Sequence, residues 1–131
     1  MSGWVKKNLA NDVEDMAARS GYGEMGEARF AKQALELERS GLSYQRLNAG
    51  KRQAFGHRHA EQEEVYVVID GSGRVKLDDD VVELAKLDAL RVPAGVTRQF
   101  EAGSDGLAYV AFGAPQLEQQ DAEILPGWWS D

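Results

Sequence analysis

Between Leu42 and Phe112 the chain is written in short apolar runs, each closed by glycine, proline or aspartate. Leu42 to Leu47 alternates and stops at Asn48-Ala49-Gly50, while Val65 to Ile69, the most β-prone run, stops at Gly71-Ser72-Gly73. Arg74 to Leu77 ends at Asp78-Asp79-Asp80 and feeds Val81 to Leu84. Ala89 to Val92 halts at Pro93-Ala94-Gly95, and two last runs, Val96 to Glu101 and Leu107 to Phe112, flank a glycine-rich break at residues 102–106. β-Branched and aromatic residues suit a half-buried pleated surface, and turn residues this closely spaced leave little room for helices. About eight short strands of this kind imply an all-β fold, antiparallel sheets closed into a sandwich or barrel. On this reading Gly71-Ser72-Gly73 and residues 102–106 are hairpin turns.

Outside that region the signals are weaker. Asn11 to Ser20 reads as a helix: Asn11 caps it, Glu14 completes a capping box, Gly21 stops it, and Val13, Met16 and Ala17 form its apolar stripe. Ala28, Phe30 and Ala34 to Leu37 look strand-like. The tail from Pro115 to Asp131 is acidic and irregular. Trp128 and Trp129 are too apolar to stay in water, so they are expected to pack across the barrel or a neighbouring subunit, or to cover a pocket.

At 131 residues the chain is long enough for one domain with a real core and too short for two. A net charge of −7 speaks against nucleic acid and anionic membranes as partners. The absence of cysteine removes disulfides and thiolate ligands. No segment approaches the ~20 apolar residues of a membrane span, and no leader is visible, so a cytoplasmic location is expected.

Both histidines lie in Gly56-His57-Arg58-His59. Two residues apart on an extended chain, their imidazoles point to one side. Four residues then intervene before Glu64, enough for a loop that returns a carboxylate to that side. Two imidazoles and a carboxylate are a ligand set for iron, manganese, nickel or zinc. The alternative is a metal-free cluster of mutually hydrogen-bonded polar groups. Glu63 has the wrong parity to join Glu64, and Glu61 is a loop residue. Tyr44 and Arg46 share one face of the preceding strand and are candidate ligand contacts. Gln53 is in phase with His57, and Tyr66 with Glu64, so both are expected to face inward.

This stretch resembles the first motif of the cupin superfamily, in which His-x-His is followed by a Glu and, six residues later, a Gly. His57, His59, Glu64 and Gly71 stand on those positions. The resemblance implies a double-stranded β-helix, the jelly-roll barrel, over about residues 42–112, with the short helix at its N-terminal side. In the second motif Pro93 and Gly95 match, but Leu87 replaces a glycine and Arg98 stands where the third histidine ligand belongs. A guanidinium cannot ligate a metal and repels one. Arg98 could pair with Glu64 in a metal-free pocket, or stand back from a three-ligand metal and hold an anionic group of a ligand. A register slip would instead turn Arg98 outward and bring Gln99 in as an oxygen ligand.

The function expected from the resemblance is a small-molecule-binding cupin with a partial metal site and a small anionic ligand. The alternatives are a metal-dependent dioxygenase or isomerase, and a metal-free isomerase or epimerase with a histidine base. Exposed sheet edges and the habit of the family point to a homodimer.

Overall fold

The computed structural model describes residues 3–117 and 119–131. It contains one helical turn, α1 (Met16–Arg19), and eight strands: β1 (Gly26–Phe30), β2 (Gly41–Leu47), β3 (Phe55–His59), β4 (Glu63–Leu77), β5 (Asp80–Leu84), β6 (Ala89–Val92), β7 (Arg98–Ala114) and β8 (Ala122–Pro126). Two of them, β4 and β7, pair with each other and run through both walls of the molecule. In one wall the order is β1, β2, the second half of β7, the first half of β4, then β6. The other wall carries β8, β3, the first half of β7, the second half of β4, then β5. All pairings are antiparallel, and the sheet curls into the expected jelly-roll barrel.

The bend shared by β4 and β7 corrects the sequence reading of their glycines. Gly71-Ser72-Gly73 is no hairpin turn: it lies inside β4, where the ladder to β7 shifts register. Residues 102–106 lie inside β7 and bulge opposite it. Gly71 has φ +74° and a Cβ there would stand 2.0 Å from the Gly106 carbonyl oxygen, so only glycine fits the crossing.

Between the walls lies an apolar core of Leu47, Val68, Val75, Val92, Leu107 and their neighbours. At its centre Phe100 stacks on Tyr109 at 4.5 Å between ring centres and tilts against Tyr66 at 4.8 Å. Each of these rings is fully buried, and aromatic contacts of this kind add about 0.5–1.5 kcal/mol beyond area burial.

The remaining expectations outside the barrel are revised. The helix spans Met16–Arg19 instead of residues 11–20, because its cap is Asp15, whose carboxylate accepts from both Ala17 N and Ala28 N and so ties the turn to β1. Asn8 holds the preceding residues in a separate turn by accepting from Ala10 N and Asn11 N. Residues 32–36 form turns where a strand was expected over 34–37, with Glu36 at φ +56°. The tail is not irregular throughout: β8 adds to the edge of β3. Trp129 is buried beneath Arg52 and Arg74, its backbone N–H donating to Gln99 Oε1, and Trp128 lies against Gly56 and Lys76. Both pack on the barrel itself, away from its cavity.

Candidate functional site

A cavity of about 480 Å³ opens between the walls, within the range of small-molecule sites. Its floor follows from the strand register. One row across the inner face reads Gly41, Gly113, Glu64, and the next reads Ser43, Ala111, Tyr66. The two β7 residues between β2 and β4 are thus the smallest available. A Cβ on Gly113 would stand 2.6 Å from the Gln62 side chain, so this part of the floor has no room for a larger residue without displacing Gln62. Adjacent strands lie about 4.8 Å apart, which sets Ser43 and Gln45 roughly 10 Å across the floor from Glu64 and Tyr66.

His57 and His59 reach the cavity from β3 in the opposite wall, on one side of the strand as their spacing requires. Their rings meet edge to face at 5.2 Å. Glu64 Oε1 lies 3.5 Å from His57 Nε2 and 3.2 Å from His59 Nε2, and it accepts the Tyr66 hydroxyl proton. The ligating atoms of His57, His59 and Glu64 all fall within 4.8 Å of one another. Spatially, these three can reach one ion.

Environment separates the two imidazoles. Burial pushes the His57 pKa below its ordinary value and keeps that ring neutral. Burial acts on His59 in the same sense, but hydrogen bonds to Glu64 and Asp121 outweigh it and raise the pKa. Glu64 is buried too, yet bonds from His57, His59 and Tyr66 hold its carboxyl far below the usual carboxylate range. The same balance holds Asp121 at about 2: burial opposes ionisation, and His59 with the N–H groups of Glu61 and Gln62 favours it.

Asp121 is a site residue the sequence did not single out. It sits 62 positions beyond His59 in the acidic tail, and its Oδ1 lies 2.8 Å from His59 Nδ1. That contact turns His59 Nε2 toward Glu64. Gln53 and Tyr66 line the cavity as expected, Gln53 through a network in which its amide donates to Tyr109 Oη at 3.0 Å and to Gln45 Oε1 at 3.3 Å. Tyr44 and Arg46 do not line it. The alternation of β2 runs the other way: Ser43, Gln45 and Leu47 face inward, while Arg46 reaches outward to Asp70 at 3.9 Å.

Residues 43–112 match the family of the Cupin domain. The chain is a cupin. It superposes on a cupin protein from Bacteroides fragilis with a TM-score of 0.72 at 24% identity, over 92% of this chain and 91% of that one. A Streptomyces PAC13 variant with uridine gives 0.71 at 16% identity, over 92% and 89%. A sugar phosphate isomerase from Silicibacter pomeroyi gives 0.68 at 21% identity, over 85% and 76%. By sequence, an uncharacterized protein from Methanocaldococcus jannaschii is 30% identical over 70 residues, 53% of this cupin and 56% of that protein. The alignment therefore spans little more than half the length of that curated relative.

Arg98 is where this cupin departs from the motif. It pairs with His57 across β3 and β7, and its side chain is wholly buried, behind Glu64 and outside the cavity lining. It therefore offers no hydrogen bond to a molecule in the cavity, contrary to the expectation that it contacts a ligand. Nη1 donates to the Val96 carbonyl at 3.0 Å, Nη2 lies 3.6 Å from Glu64 Oε1, and Nε and Nη2 have no hydrogen-bond partner among the described residues. The register-slip alternative fails, since Gln99 is turned toward Gln53 O and Trp129 N. The donor geometry thus suits an ion and the charge does not. A fixed guanidinium, short of partners, already claims the carboxylate that an ion would need.

Proposed function

We propose that this cupin binds a small hydroxylated acid on the floor formed by Ala111 and Gly113, between Ser43 and Gln45 on one side and the His57, His59 and Glu64 cluster on the other. The observation that carries the reading is the donor arrangement on β2. Gln45 Nε2 donates to Ser43 Oγ at 3.2 Å, and Gln45 Oε1 accepts from both Gln53 and Tyr109. Ser43 therefore keeps its hydroxyl proton, and Gln45 one amide proton, for an acceptor in the cavity. Arg98 offsets the Glu64 charge from behind, so the floor does not repel an anion, and Lys32 stands on the rim. Neutral His57 is the general base an isomerase would need, and His59, whose pKa is raised, despite burial, by Glu64 and Asp121, is the matching acid. The molecules named for the structural neighbours differ among themselves, so the reading rests on this chain's side chains.

An NMR titration of isotopically labelled protein with gluconate, glucuronate and glucose tests it. The acids are expected to bind more tightly than glucose and to shift amides at residues 43–45, 57–59, 64–66 and 111–113. Ser43→Ala should weaken them about tenfold, the value of one hydrogen bond. Shifts confined to other regions, or no saturation by either acid, would end the reading.

A further inference from the structure

We infer that Arg98 is a resident cation that takes the charge-balancing place of a metal, so that His57, His59 and Glu64 work as a metal-free cluster. The inference rests on the reading that this cluster is the functional centre, but not on which small molecule the cavity takes. Four groups converge on a single oxygen, Glu64 Oε1: His57 Nε2, His59 Nε2, the Tyr66 hydroxyl and Arg98 Nη2. Three of them can exchange that oxygen for a neutral partner, since Tyr66 is a hydroxyl and the imidazoles can be uncharged. Arg98 cannot, because a guanidinium keeps its charge at every accessible pH.

Its surroundings leave it nowhere else to turn. Arg98 has no exposed surface, its guanidinium meets the Val96 carbonyl and the face of the Tyr66 ring, 5.9 Å from the guanidinium carbon, and Glu64 is its only ion-pair partner among the described residues. A divalent ion that took Glu64 would bring two positive charges next to this one at low dielectric and would strip the guanidinium of its counter-charge. Occupation by metal and pairing with Arg98 therefore compete for one carboxylate. Arg98 is here a positioning residue: it holds the Glu64 carboxylate between the imidazoles without touching anything in the cavity.

The test is metal binding by untagged protein, read by elemental analysis and by titration calorimetry with Zn(II) and Ni(II). Wild-type protein is expected to retain less than about a tenth of an equivalent after desalting. Arg98→His should retain close to one, with affinity raised at least about a hundredfold, as removing a charge next to a coordinating carboxylate implies. Adding Glu64→Gln to Arg98→His should remove the gain. Near-stoichiometric metal in the wild type, lost on Glu64→Gln, would overturn the inference, and so would a folded Arg98→His that binds none. Should Arg98→His not fold, Arg98→Gln decides: a gain of tenfold or more over wild type supports the inference and no gain sinks it. These readouts need no organic ligand, so a failed acid titration and a failed metal result are distinct outcomes.

Discussion

Two arginine–glutamate clusters sit at different depths of this barrel, and they do different work. On the outside, Arg52 and Arg74 both grip Glu101, at 2.8 and 2.7 Å, and cover Trp129 with guanidinium carbons 4.0 and 5.0 Å from its ring centre. Each member keeps a fifth or more of its side chain in water, so each has solvent as a substitute partner. Inside, Arg98 has no exposed surface and stands 3.6 Å from a single glutamate oxygen. The outer cluster has good geometry and a smaller energetic role, because water reaches every member and both screens and replaces the pairs. The inner pair has poorer geometry and a larger role, because Glu64 is the only ion-pair partner of Arg98 among the described residues.

The sharpest way to break that contrast is to remove the inner cation alone. Arg98→Met should cost about 3–5 kcal/mol in urea unfolding, since it removes one partner of a buried ion pair. Combining it with Glu64→Gln should cost clearly less than the sum of the two single changes. Additive costs would show that the charges do not depend on each other.

Acid should weaken the inner cluster next. Glu64 and Asp121 both have depressed folded-state pKa values, so the stability they contribute is complete above the unfolded carboxylate values near 4 and is lost as pH falls through the folded ones. For Asp121 the window runs from about 4 down to about 2. Urea midpoints measured from pH 5 to 2 should therefore fall steadily, and Asp121→Asn should flatten that fall. A slope unchanged by the substitution would mean that Asp121 is not held by His59 in solution.

The smallest effect belongs outside. Glu101→Gln should shift unfolding by under about 1 kcal/mol. A cost comparable to that of Arg98→Met would erase the distinction between the clusters.

Why the inner cluster could be anticipated and the outer one could not is a matter of range. His57, His59 and Glu64 are close in sequence, and a two-residue period fixes which side of a strand they share. Asp121 completes His59 from a strand that pairs only because the barrel brings it there, and one aspartate in an acidic tail carries no local mark. The glycines at 71 and 73 announced a change of direction, but the same residues serve a hairpin turn and a bulge inside a long strand, and only the partner strand tells them apart. The shared face of Tyr44 and Arg46 was legible from the two-residue period of β2, but which of its two faces turns toward the cavity depends on how β2 pairs with β7. The identity of Arg98 was plain from the motif, whereas its burial behind Glu64 depends on packing that no spacing encodes.

The late position of β8 also orders events during synthesis. A nascent chain that has emerged as far as Ala114 holds all three cluster residues and every strand that pairs β4. It lacks the strand that covers the free edge of β3 and the carboxylate that steadies His59. Until residues 121–126 arrive, that edge is open to any extended segment nearby. Completion of the site and protection against mispairing are therefore the same step.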